Sequence, residues 1–177
     1  MKIRTDFVTN SSSSSYTIWL QIELKNGECL SLTLNQDNGN GGLDYLNIKQ
    51  RRFRANVLAK SKDINELISI IDKSTEYEMW NTDDDEEMSN EIIPISRLFM
   101  EKDLEYFNGI YAECYAEENK DFYKRLDSLS MDDISKITIE QQRAYHGGDL
   151  WSHSQSYDCA NGKLEYEKYV EPPEDEG

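Results

Sequence analysis

The sequence predicts an α+β fold: an antiparallel sheet made from an N-terminal hairpin and a C-terminal three-strand meander, with about three helices between them packed on one face. Three observations carry this. Apolar residues alternate with polar ones over Ile18–Leu24 and Leu30–Leu34, the period of a half-buried strand. Apolar residues then recur every three or four positions through the middle of the chain, the period of a helix with one buried face. Alternation returns after residue 134 and persists to the closing Pro172-Pro173. The order of elements is β-β-α-α-α-β-β-β, a sheet covered by a helical layer.

The first hairpin is specific enough to give a register. A two-residue turn at Asn26-Gly27 would put the two leucine-rich faces on opposite sides of the sheet. A three-residue loop, Lys25-Asn26-Gly27, with Gly27 left-handed as a bulge, sets Ile22 opposite Leu30 and Leu20 opposite Leu32. Only the second arrangement gives a single buried face, so it is the expected one.

After Leu34 a Gly/Asn loop runs into a short strand or turn in "NQDNGNGGLDYLNIK"; the following "KQRRFRANVLAK" carries five basic residues and no acid, and Phe53 and Val57 would share a helix face. In "SKDINELISIIDKS", Asp63 caps a helix with Glu66 three residues on, and Leu67, Ile70 and Ile71 face inward. "NTDDDEEMSNE" has no apolar period and reads as an exposed loop. Pro94 sits near the start of a long helix over 95–117, whose stripe of Met100, Leu104, Phe107, Tyr111 and Cys114 faces the core. A third helical stretch over 120–129 buries Phe122, Leu126 and Leu129. Ile137 and Ile139 open the C-terminal strands. Asn161-Gly162 suggests a two-residue turn that sets Cys159 opposite Leu164 and Tyr157 opposite Tyr166.

The 177 residues suit one domain, placed over 16–170 between a flexible serine-rich leader, 1–15, and an acidic tail, 171–177. Eleven tyrosines, five phenylalanines and three tryptophans supply a core despite a mean hydropathy of −0.78. No stretch approaches the ~20 apolar residues of a membrane span, and three cysteines without metal-like spacing suit reduced thiols, so a cytoplasmic location is expected. The formal charge is −16 and uneven: residues 1–60 hold eight basic and five acidic side chains, and Ser74–Ser96 has eight carboxylates with no Lys or Arg. Such a field repels nucleic acid and membranes and attracts basic protein surfaces.

Candidates for chemistry are few. His146 and His153 lie near Asp149, Asp158 and Cys159 and read first as surface-strand histidines, with a metal pair as the alternative. No nucleophile elbow or phosphate cradle is present, and "GNGG" lacks the Lys-Ser/Thr that would follow in a P-loop, so no cofactor is expected. The basic strip containing Arg51, Arg52 and Arg54 reads as a partner for the acidic middle of the same chain, or else as a nucleic-acid contact. The remaining cluster is Asp83, Asp84, Asp85, Glu86 and Glu87, expected to bind a basic partner surface by imitating phosphates.

The opening "KIRTDFVTNSSSSSY" (Lys-x-Arg, Phe-Val-x-Asn, five serines and an aromatic) resembles an N-terminal signature on otherwise diverse small proteins of Firmicutes and their phages and mobile elements. Phage and mobile-element proteins of this size and acidity resemble anti-CRISPR and other anti-defence inhibitors. The resemblance implies an acidic inhibitor of a basic nucleic-acid-handling protein, such as a CRISPR effector nuclease. Two alternatives remain: an RNA- or DNA-modifying enzyme such as a nuclease acting on guide RNA, and a housekeeping interaction domain.

Overall fold

In a computed structural model that describes residues 15–37, 45–48, 53–80, 90–94, 96, 116–144 and 150–170, the chain forms two antiparallel sheets and a helical layer. In chain order the elements are β1 (Ser15–Leu24), β2 (Cys29–Asp37), β3 (Tyr45–Ile48), α1 (Ala55–Ala59), α2 (Ile64–Ser74) and β4 (Thr75–Trp80). There follow β5 (Asn90–Pro94), α3 (Ala116–Asp127), β6 (Ile134–Ala144), β7 (Leu150–Asp158) and β8 (Lys163–Val170). The larger sheet has the order β2-β1-β6-β7-β8, so the N-terminal hairpin and C-terminal meander join through β1 and β6.

The first hairpin has the expected register, with Ile22 opposite Leu30 and Leu20 opposite Leu32. Leu24 N–H donates to the Glu28 carbonyl at 2.8 Å and Gly27 N–H to the Leu24 carbonyl at 3.0 Å, closing a loop of Lys25, Asn26 and Gly27. Gly27 has φ +90°, and a Cβ placed there would meet nothing within 4 Å. The cost of Gly27→Ala is therefore backbone strain alone, about 1 kcal/mol. Thermal melting should show a loss of about 2–4 °C, and an unchanged midpoint would rule out the bulged loop.

One face of the larger sheet carries the core. Ile18, Leu20, Ile22, Leu30, Leu32, Leu34, Ile137 and Ile139 are buried beneath Leu58, Leu67, Ile71, Phe122, Tyr123 and Leu126. Each such side chain contributes roughly 1.5–3 kcal/mol relative to exposure. The first helix rests on β6 and β7, and α3 on β2. A bidentate contact fixes α3 to the first hairpin: Arg125 Nε and Nη2 donate to Glu28 Oε1 and Oε2 at 3.0 and 2.7 Å.

Several sequence expectations are corrected in detail. Among the described residues of the basic strip, Ala55–Ala59 forms a five-residue helix; Phe53 is buried ahead of it, Val57 is exposed, and Ala55 and Leu58 make the buried pair. The cap on α2 is as expected, Asp63 Oδ1 accepting Glu66 N–H at 2.8 Å, while Glu66 Oε2 accepts the N–H of Lys62 at 2.6 Å. The stretch expected to be an acidic loop contributes Asn90 and Glu91 to β5, opposite Trp80 and Met79, and a second sheet of order β3-β4-β5 results. Pro94 closes β5 opposite Glu76, a strand-end position where its missing N–H is tolerated. The stripe from Met100 to Cys114 lies outside the described residues. Glu117 belongs to α3, which starts at Ala116 and buries Phe122, Tyr123 and Leu126.

The C-terminal hairpin also differs. Its strands pair Asp158 with Lys163 and Tyr157 with Leu164, with a bulge between Ser156 and Tyr157, so the connection is Cys159–Gly162 rather than two residues. The reason is the Asp158 carboxylate. It accepts the N–H groups of Ala160 and Asn161 at 2.9 and 3.1 Å and the Asn161 side-chain amide at 2.8 Å. Cys159 N–H meanwhile donates to the Ser135 carbonyl on β6 at 2.9 Å. These bonds to a loop backbone outweigh the apolar pairing that a tighter turn would bring.

Candidate functional site

The acidic run is placed by its flanks. Asp83, Asp84, Asp85, Glu86 and Glu87 lie outside the described residues, in the connection between Trp80 and Asn90, which are paired across β4 and β5. A hairpin therefore brackets the run, and Glu76, Glu78 and Glu91 lie on its two paired strands. Of the basic strip, Arg51 and Arg52 are also outside the described residues. Arg54 stands at the N-cap of α1 with extended backbone (φ −131°, ψ 140°) and is half-buried.

The period-two row that buries Ile137 and Ile139 continues into polar residues: Gln141 on β6, and His153 and Gln155 on β7, are all buried. The first helix and its lead-in supply their partners. Gln141 Nε2 donates to the Phe53 carbonyl at 2.8 Å, and Asn56 N–H to Gln155 Oε1 at 3.3 Å. His153 is only 4% exposed, and its Nε2 lies 3.0 Å from Oε1 of Glu167, a partner whose side chain is 40% exposed. Next to it, Trp151 Nε1–H donates to the Tyr169 hydroxyl at 2.8 Å with the two rings nearly perpendicular.

The expectation of a surface histidine is thus overturned for His153. Its cross-strand neighbour is Gln141, which lies in the covered row, and register carries His153 into the same row. His146 lies outside the described residues. Among the described residues no three His, Cys, Asp or Glu side chains group closely enough to hold a metal ion. Cys159 is half-buried, and burial, helped by Asp158, pushes its thiol up to about 11. Burial likewise raises the exposed-edge Cys29, so both thiols are poor thiolate sources at neutral pH. Cys114 is outside the described residues.

No family model, curated protein or solved structure matches the chain. Among the described residues, no helix is long and apolar enough to cross a membrane.

One further titrating group has a defined setting. Asp72 on α2 accepts Ser96 N–H at 2.8 Å through Oδ1, and its Oδ2 is bound by the Ser96 hydroxyl. Burial nonetheless raises its carboxyl above the ordinary value, against the lowering effect of Ser96. The adjacent Tyr123 phenol is pushed well up by burial and then by Asp72. An acid raised on folding holds its proton more tightly in the folded state, so its contribution is present at low pH and lost as pH rises through the raised value. Asp72→Asn mimics the protonated form. Urea unfolding at pH 4 and 7 should show wild type losing stability relative to the variant as pH rises; a gap that does not change with pH would contradict the burial argument.

Trp151, Glu167 and Tyr169 were not singled out by sequence. No local pattern points to them: "SHSQS" alternates serine with larger polar residues, which fits a strand without saying which face is covered.

Proposed function

We propose that this chain is a non-enzymatic, phage- or mobile-element-type inhibitor that binds a basic nucleic-acid-handling protein of host defence, such as a CRISPR effector nuclease. The observation that carries this is a run of five contiguous carboxylates bracketed by the paired strands β4 and β5 in a chain of net charge −16. Consecutive Cα atoms are at most about 3.8 Å apart, so the run offers charge at a density similar to the phosphate per ~3.4 Å along one DNA strand. A groove shaped and charged for nucleic acid would accept such a run, and the long-range field of the acidic chain would speed encounter. The N-terminal resemblance to proteins of phages and mobile elements supports the biological setting.

The test is capture of host proteins by the tagged chain at low and high salt, beside a variant in which Asp83, Asp84, Asp85, Glu86 and Glu87 are all lysine. Wild type should recover a basic nucleic-acid effector that falls away as salt rises. The variant should bind it at least tenfold more weakly and with a flatter salt dependence. Equal binding by the variant would remove the run from the interface. Cleavage of guide RNA by the purified chain with Mg²⁺ or Mn²⁺ would replace inhibition with the nuclease reading.

A further inference from the structure

Among the described residues the larger sheet ends on β2 at one side and β8 at the other, and the two edges are built differently. On β2, the buried Asn119 of α3 closes the edge: its Oδ1 accepts Thr33 N–H at 3.0 Å and its Nδ2 donates to the Thr33 carbonyl at 2.8 Å. On β8, every residue from Lys163 to Val170 is exposed, including Leu164, Tyr166 at 51% and Tyr169 at 53%. The strand is nevertheless held firmly from within. Glu165 pairs with Lys136 at 2.9 Å, Glu167 with His153 at 3.0 Å, and the Tyr169 hydroxyl receives Trp151 Nε1–H at 2.8 Å.

Ladder alternation fixes which main-chain groups face outward. The Leu24–Glu28 bond, carried through the registers of β1, β6 and β7, directs Ser152, Ser154 and Ser156 toward β8 and leaves Glu167 and Tyr169 pointing away from the sheet. A strand added here would bond at Glu167 and Tyr169. Its residue opposite Lys168 would then form a close, non-hydrogen-bonded pair, ~4.5 Å between Cα atoms. Among the described residues no carboxylate pairs with Lys168, which lies opposite Ser154, while Tyr166 and Val170 flank it on the same face two positions to either side.

A second copy is a poor occupant. A symmetric antiparallel pair centred on Glu167 or Lys168 sets like charges directly opposite. Centring it instead on Tyr166 sets Glu165 against Glu167, also unfavourable. We propose that β8 receives an extended segment of another protein, one with a carboxylate opposite Lys168 and an apolar residue two positions to each side. This strand addition is separate from the acidic run and stands or falls without it.

Two labelled peptides test it, Thr-Val-Thr-Glu-Thr-Val-Thr and the same peptide with lysine in place of glutamate. Titration into the full chain, followed by amide exchange, should show protection gained at the Glu167 and Tyr169 N–H groups with the glutamate peptide. The lysine peptide should bind at least tenfold more weakly, and Lys168→Glu, an exposed substitution, should reverse the preference. Binding by neither peptide at millimolar concentration, equal binding by both, or protection elsewhere would overturn the proposal. So would concentration-dependent dimerisation of the chain through β8, seen by sedimentation and lost on Lys168→Glu.

Discussion

Leu20→Ala is expected to destabilise the chain by about 2–5 kcal/mol, the usual cost of emptying a filled core position. Leu20 is fully buried on β1, an interior strand of the larger sheet, with Leu32 opposite on β2 and Ile139 opposite on β6. Truncation removes the contact from three strands at once, and neighbours fixed by ladder bonds on both sides have little room to collapse inward. For a chain of this size each kcal/mol shifts the midpoint by about 2–4 °C. Thermal and urea unfolding of the variant should therefore show a large loss, while Gln21→Ala, one residue along on the opposite face, should stay within about 0.5 kcal/mol. Equal effects at the two positions would mean that the buried face has been misassigned.

Asn119→Leu should be nearly as severe, for a different reason. Asn119 is 1% exposed, and among the described residues its side chain supplies the partners for both the N–H and the carbonyl of Thr33. Leucine keeps the branched outline, is somewhat bulkier and removes both bonds, leaving two main-chain groups beneath α3 unpaired, at about 1–3 kcal/mol each. A second effect should accompany the loss of stability. With the cap gone, β2 presents a free donor and acceptor, so the variant should also self-associate more readily on heating, which light scattering during the melt would detect. Loss of stability with no change in scattering would mean that α3 shields the edge even without the amide.

The first hairpin was legible because one register alone buries both leucine rows, and Asn26-Gly27 supplies the turn that this register needs. The C-terminal hairpin contains the same Asn-Gly pair, yet Asp158 redirects it. A carboxylate bonding two or three residues ahead competes with strand pairing in a way that alternation does not reveal. Most of the second sheet was missed because Thr75–Trp80 was assigned to no element, Glu76 and Glu78 interrupting the strand signal of Tyr77 and Trp80, and because Asn90 and Glu91 read as the end of the acidic loop. His153 was misjudged because a histidine between serines reads as polar surface; its burial follows only once Gln141 is known to lie beside it. Of the proposed site, the charge was fully legible and its bracketing by β4 and β5 was not.

The joining of β1 to β6 has a consequence for how the protein is made. Ser135 donates to the carbonyl of Glu23 across 112 residues of chain, and the whole β1–β6 ladder spans a similar distance. Folding must close that long loop before the sheet gains an interior strand, so the topology favours slow, late assembly over rapid local collapse. On the ribosome, the apolar face of the first hairpin emerges well before its C-terminal partner strand and must wait for it.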